Sequence, residues 1–211
     1  MPILSLAPYV IVGSVYIWAA WNHKSRPQTI LKPFLVPLLL LFRLATSGWD
    51  GLVCPGLILG WIGDVCLMGR GQRWFVAGLS AFLLGHVFYV AYAISALFPD
   101  LSPAALLWCL PVMAFSVRVL LRLWKKLGPM RIPACAYCLL LSLMAISGGV
   151  WFLCRPSLPS GLFALGGILF ALSDAQLAIG LFDRPAARQD FLVMTSYILA
   201  QGLLTIASCL R

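Results

Sequence analysis

The sequence predicts an all-α polytopic membrane protein of eight transmembrane helices, arranged as two parallel four-helix repeats with both termini on the non-cytoplasmic side. Three observations carry this. Hydrophobic residues make up 62% of the chain and charged residues only 10%, with a mean hydropathy of +0.99, which leaves too little polar surface to cover a soluble globule. The apolar residues come in continuous runs of about twenty, not in the short alternating segments of a barrel, and in lipid such runs satisfy their backbone as helices. Finally, GLILGWIGDVCLM from Gly56 to Met68 superposes without a gap on GGILFALSDAQLA from Gly166 to Ala178.

Eight spans fit a chain of 211 residues only with tight loops, so residues 1–211 form a single transmembrane domain whose repeat halves are about 1–100 and 101–211. The spans fall at 3–21, 31–47, 53–69, 74–97, 103–123, 132–153, 160–181 and 189–210. The first lacks a basic leading region and a small-residue cleavage site, and is expected to be retained as a span. Polar Asn22 to Arg26, ending at Pro27, separates it from the second. Arg70 to Arg73 carries Gly71 between two Arg, and Pro99 to Pro103 includes Asp100. Lys125 to Arg131 holds Gly128 and Pro129, Arg155 to Pro159 holds two Pro, and Asp183 to Asp190 mixes both signs around Pro185.

Orientation follows from the basic residues. The connections after the first, third, fifth and seventh spans, with their flanks, hold twelve of the fifteen Lys and Arg; the other side has Arg43, Arg155 and Arg211. The positive-inside bias puts the richer side in the cytoplasm. It also accounts for the net charge of +9 through lipid phosphates, so nucleic acid is not implied as a partner. The repeat extends weakly beyond its best segment: Pro8 and Trp21 match Pro111 and Trp124, and Pro33 matches Pro133. Four spans per half make the halves parallel, related by an axis near the membrane normal.

All six acidic residues are Asp, and Asp64 and Asp174 occupy equivalent points of the matched segments. At 1.5 Å per residue both lie ~9 to 14 Å inside the cytoplasmic boundary. An Asp near a helix centre costs about 2.5 to 3.5 kcal/mol on insertion scales, so each needs a function, and the pair is the candidate site. Lys32 opens the second span beside Pro33, which suits a first helical turn, and is a candidate anion contact. His86 and Tyr89 share a face of the fourth span; Tyr197 and Gln201 share a face of the eighth. Tyr137 of the sixth span lies near mid-depth, and Ser173 adjoins Asp174. Seven cysteines sit almost entirely within apolar runs. Cys135 and Cys138 form a CxxC inside a span, where neither a redox nor a zinc role is expected.

The ordered set of KP at the head of the second span, GDVCLM, GHVFYV, SDAQLA and SYILAQ resembles the lysoplasmalogenase family, the YhhN-like membrane proteins, over essentially the whole chain. The resemblance implies an eight-span hydrolase of the vinyl ether bond of 1-alkenyl-2-lyso-glycerophosphoethanolamine or -choline, releasing a fatty aldehyde. It implies a lysophospholipid substrate among membrane lipids, in the endoplasmic reticulum of animals or the cytoplasmic membrane of bacteria, and the short tails favour the latter. Vinyl ether hydrolysis needs one acid and one base, and Asp64 and Asp174 are expected to divide those roles. Lys32 is expected to hold phosphate, while His86 and the tyrosines orient water or the glycerol hydroxyl. No cofactor or metal is expected: with only His23 and His86 a three-His zinc site is impossible, and a divalent ion on Asp64, His86 and Asp174 ranks below the metal-free scheme. The rival reading from the residues is a proton- or cation-coupled transporter, since carriers also pair intramembrane acids across repeats. No span shows an unwound interior, however, and both acids lie on one side of the bilayer. Another lysolipid as substrate also remains open.

Overall fold

A computed structural model describes residues 2–97 and 101–211, with side chains from Leu4 onward. The predicted break at Pro99, with Asp100, lies outside the described residues. Eight α-helices follow in order: α1 (Pro2–Trp21), α2 (Ser25–Ser47), α3 (Val53–Leu67), α4 (Gln72–Leu97), α5 (Cys109–Leu123), α6 (Arg131–Cys154), α7 (Leu158–Phe182) and α8 (Gln189–Leu210). A 3-10 turn, Pro103–Trp108, leads into α5, and another, Gly128–Met130, leads into α6. Among the described residues seven spans are long and apolar enough to cross a membrane, and α3, at 15 residues, is shorter. The chain is a multi-pass membrane protein by the composition of its helices.

Two predicted starts move. The first six residues of the fifth span are 3-10, and α5 begins at Cys109. The second helix begins at Ser25, six residues before the expected start, so Lys32 and Pro33 lie within it instead of opening it. Pro27 sits in the first turn, where no amide donor is needed. Pro33 and Pro37 are interior, and Pro37 cannot bond the carbonyl of Pro33. The indole of Trp61 on α3 donates to that carbonyl at 2.9 Å, so the lost hydrogen bond is replaced across the α2–α3 contact. Other ends follow the turn chemistry. Asp50 accepts from the amides of Leu52 and Val53 at 2.8 Å each ahead of α3, and Ser157 and Ser160 form a capping box at the head of α7.

Helix pairs that carry the acids are drawn together by glycine. A Cβ on Gly85 of α4 would lie 3.1 Å from the carbonyl of Gly56 on α3, and one on Gly166 of α7 would lie 3.2 Å from the carbonyl of Ala200 on α8. Small residues let the backbones of α3 and α4, and of α7 and α8, approach closely. Further contacts join α1 to α2, α2 to α3, α6 to α7, α2 to α8, α4 to α6 and α1 to α8, whereas α5 packs on α6 and touches α7. The centre is filled by Leu35, Leu39, Leu57, Met144, Phe163, Phe170 and Leu204, all under 2% exposed.

At one end of the bundle, Arg43, Arg155 and Arg211 donate to the carbonyls of Gly48, Ala96 and Ser95 at 3.0, 3.2 and 3.2 Å. These are the three basic residues of the charge-poor side, and each satisfies the free carbonyls where α2 or α4 ends. At the opposite end Asp183, just past α7, receives Arg122 (Nη2 to Oδ2, 2.8 Å) and Lys126. The Lys126 ammonium and then the Arg122 guanidinium hold the Asp183 carboxyl below the usual carboxylate range.

Candidate active site

Helices α3 and α7 each bring one acid to the wall of a single cavity of about 610 Å³, lined mostly by apolar side chains from all eight helices. Of the predicted residues, Lys32, Asp64, Tyr137, Ser173, Asp174 and Tyr197 line it; His86, Tyr89 and Gln201 do not. Asp64 is 2% exposed, a buried position that a carboxylate occupies only with partners. It has two. Lys32 Nζ of α2 lies 3.5 Å from Oδ1, and the Tyr197 phenol of α8 donates to Oδ2 at 2.5 Å.

Behind Tyr197 the hydrogen bonds continue into the core. Gln201, one turn along α8, donates from Nε2 to the Tyr197 oxygen at 3.3 Å, and its Oε1 accepts from the Tyr89 phenol of α4 at 3.1 Å. Tyr89 and Gln201 therefore reach the cavity only through Tyr197. The four-residue spacing of Tyr197 and Gln201 puts both on one helix face.

Asp174 sits differently. It accepts a hydrogen bond from the Tyr137 phenol of α6 at Oδ2, and among the described residues no Lys, Arg or His forms an ion pair with it. It is half-buried, open to the cavity. Ser173 beside it turns its hydroxyl to the Val193 carbonyl of α8 at 2.9 Å, tying α7 to α8.

His86 lies behind Tyr137. Its Nδ1 is 2.5 Å from the Phe82 carbonyl, so that nitrogen carries the hydrogen, and its buried Nε2 has no hydrogen-bond partner among the described residues. Its ring meets Tyr137 at 5.8 Å and Phe170 at 4.6 Å, and Phe170 meets Tyr197 at 5.4 Å, each edge to face. A chain of four rings thus connects the two phenols that address the two acids, with His86 as one of its packing members. Among the described residues no three His, Cys, Asp or Glu side chains gather in a metal-binding group, and Asp64, His86 and Asp174 do not form one.

Five polar residues on the wall escape the sequence reading: Tyr16, Gln28, Ser116, Gln189 and Asp190. Tyr16 had a signal, since it is five residues from Trp21 and ~8 Å below the same boundary as the acids. Gln28, Gln189 and Asp190 stand near helix starts, where polar side chains are common for reasons of solvation alone, and Ser116 lies within α5, its hydroxyl paired with that of Ser142 at 2.7 Å.

The fold and the site define a multi-pass helical membrane protein with two unequal carboxylates in one largely apolar cavity, an arrangement suited to proton transfer on a lipid-like molecule. By sequence the chain belongs to the YhhN family, whose model matches residues 27–208. It is 30% identical over 210 residues to the human protein lysoplasmalogenase TMEM86B, covering 96% of this chain and 85% of that one. Human lysoplasmalogenase TMEM86A is 27% identical over 221 residues, with 96% and 88% covered. The lysoplasmalogenase of Mycobacterium bovis is 32% identical over 159 residues, with 72% and 58% covered. No solved structure matches the chain.

Proposed function

We propose that this protein is a lysoplasmalogenase, which hydrolyses the vinyl ether of 1-alkenyl-2-lyso-glycerophosphoethanolamine or -choline by acid/base catalysis between Asp174 and Asp64. The observation that carries the reading is the inequality of the two acids on one cavity wall, in a chain whose relatives bear that enzyme's name. Asp64 has a cation beside it and is the carboxylate of the resting state. Asp174 has only a phenol and holds the proton. Neighbouring groups divide two like acids in the same way in glycosidases, which face a related oxocarbenium intermediate.

The steps close. Asp174 gives its proton to the β-carbon of the vinyl ether, leaving an oxocarbenium ion whose charge the Asp64 carboxylate faces. Water adds to the α-carbon and loses a proton to Asp64, giving a hemiacetal. The hemiacetal hydroxyl then returns a proton to Asp174 as the bond to the glycerol oxygen breaks, and Asp64 protonates that oxygen. Fatty aldehyde and glycerophosphoethanolamine or glycerophosphocholine leave, and both acids are reset. Tyr197 and Tyr137 hold the carboxyl planes in place, Tyr89 and Gln201 support Tyr197, and His86 packs Tyr137. Lys32, 19% exposed, balances Asp64 and meets the phosphate; Ser173 keeps Asp174 on the wall.

The same reading takes the two halves as parallel repeats with both termini outside. Its support is that the pairs α2–α3 and α6–α7, α3–α4 and α7–α8, and α2–α8 and α6–α4 all pack, as a two-fold would require. Lys32 of α2 and Tyr137 of α6 then serve the acid of the following helix in equivalent ways. The cavity lining includes Leu127, Met130 and Pro185 of the connections rich in Lys and Arg, so a lysolipid of the inner leaflet enters with its head group already on that side.

The test is aldehyde release from alkenyl-lysophosphatidylethanolamine by purified protein, with the acyl-lyso analogue as control. Asp64→Asn and Asp174→Asn should each lose at least ~100-fold in turnover while eluting as folded protein. Aldehyde from the folded Asp64→Asn, Asp174→Asn double variant would refute the assignment. No aldehyde from folded wild type would move the reading to another lysolipid or to transport.

A further inference from the structure

The cavity has walls on both α4 and α5, yet those two helices do not pack against each other. Phe75, Leu79 and Phe82 of α4 and Phe115, Val119 and Leu123 of α5 line it, while α5 packs on α6, α7 and the 3-10 turn before it. In α5 only Leu123 is buried, and Met113, Val117 and Leu121 are 40%, 48% and 71% exposed. The pair related to α5–α4 by the repeat is α1–α8, and that pair is closed.

A residue difference explains the asymmetry. Tyr9 of α1 donates to the Ile198 carbonyl of α8 at 2.5 Å, pinning α1 in place. With Pro8 and Trp21 set on Pro111 and Trp124, Tyr9 falls on Val112 and Tyr16 on Val119. Tyr16 and Val119 both line the cavity, which supports that register. Valine has no donor, so α5 lacks the hydrogen bond that seats its counterpart, and the space between α4 and α5 is left to the cavity.

Length also argues for a lateral opening. Along α7 the cavity lining runs from Ala171 to Phe182, ~16 Å of helix, which is shorter than a glycerophosphoethanolamine head plus a long hydrocarbon chain. The chain must leave the protein, and the α4–α5 faces are the apolar, unpacked side. We infer that the gap between α4 and α5 is the lateral opening through which the hydrocarbon chain of a single-chain phospholipid passes from the bilayer to the cavity. This rests on the lipid-substrate reading above, but not on the chemistry assigned to the acids.

Photolabelling tests it. The full chain, in bilayers of phosphatidylethanolamine and phosphatidylglycerol, is irradiated with a lysophosphatidylethanolamine bearing a diazirine at the chain terminus, with and without excess unlabelled lysolipid. Label that the competitor removes should map to α4 and α5 peptides containing Phe75 to Phe82 and Phe115 to Leu123. The Leu79→Trp, Val119→Trp double variant should cut it at least ten-fold, whereas Ile11→Trp on the lipid face of α1 should not. Competable label confined to α1, α2 or α8 would overturn the opening. Labelling reads binding and not turnover, so the two proposals separate. Label at α4–α5 without aldehyde release overturns the hydrolase alone; aldehyde release with label only elsewhere overturns the opening alone.

Discussion

Replacing Tyr197 by Phe removes one oxygen and breaks two bonds: the 2.5 Å donation to Asp64 and the 3.3 Å acceptance from Gln201. A hydrogen bond to a charged group contributes about 1.5 to 3 kcal/mol, and each 1.4 kcal/mol is tenfold, so turnover should fall ~10- to 150-fold if Asp64 works as a held carboxylate. Tyr89→Phe is the internal control. It breaks only the 3.1 Å bond to the Gln201 oxygen, a neutral pair of about 0.5 to 1.5 kcal/mol, two links from the acid, and should cost at most ~10-fold. Initial rates of aldehyde release, normalised to folded protein by size exclusion, give both figures. The Asp64→Asn, Tyr197→Phe double variant should be no worse than Asp64→Asn, because the phenol acts through the acid. Tyr197→Phe within two-fold of wild type, or Tyr89→Phe as damaging as Tyr197→Phe, would refute the graded network.

Two further outcomes concern the scaffold. Gly85→Ala puts a methyl group 3.1 Å from the Gly56 carbonyl, a contact that only separation of α3 and α4 relieves, and overpacking of this kind costs about 1 to 3 kcal/mol; a lower melting midpoint in detergent, with less activity, is expected. Asp183 is held below the ordinary value of 3.8 by Lys126 and Arg122, so its contribution to stability is present above that value and is lost as the pH falls through the depressed one. Wild type should therefore lose more melting temperature than Asp183→Asn between pH 6 and pH 3, and equal losses would count against the pair.

The helices were legible because lipid leaves a backbone few alternatives: apolar run length and Gly, Pro and charged breaks fix where a span can start and stop. The start of α2 was not, because Pro27 read locally as a break and Pro33 as a first-turn residue. What rescues the helix is an indole 28 residues away on α3, and no pattern within α2 announces it. In the site, the two acids stood out because Asp is costly in a span and these two were matched by position. Lys32 is the opposite case. It was placed by its neighbourhood to Pro33 and assigned to phosphate, whereas its nearest partner is Asp64, a pairing that depends on how α2 lies against α3. Likewise the shared helix face of His86 and Tyr89 was visible, but not that both point behind the cavity wall. Depth along a helix is readable from sequence, and which side of the helix faces the cavity is not.

Within the repeat reading, the chemistry follows from where the two halves stopped being alike. A symmetric pair of acids in one cavity would have equal claims on a proton, and neither would be a dedicated acid or base. The acids themselves remain identical, on equivalent helices and at equivalent positions. What differs is the company each keeps: Asp64 has an ammonium, Lys32, from the preceding helix as well as the Tyr197 phenol, whereas Asp174 has the phenol of Tyr137 from its preceding helix. A cation beside one carboxylate stabilises its ionised form, and a neutral donor beside the other does so less, because only the first adds a full opposite charge. Exchanging those neighbours is therefore a sharper intervention than removing either acid. A Lys32→Met variant should slow turnover and bring the two acids toward equivalence. Adding Tyr137→Lys should then leave Asp174 as the balanced carboxylate and fail to restore the rate, since the proton donor would have lost its place.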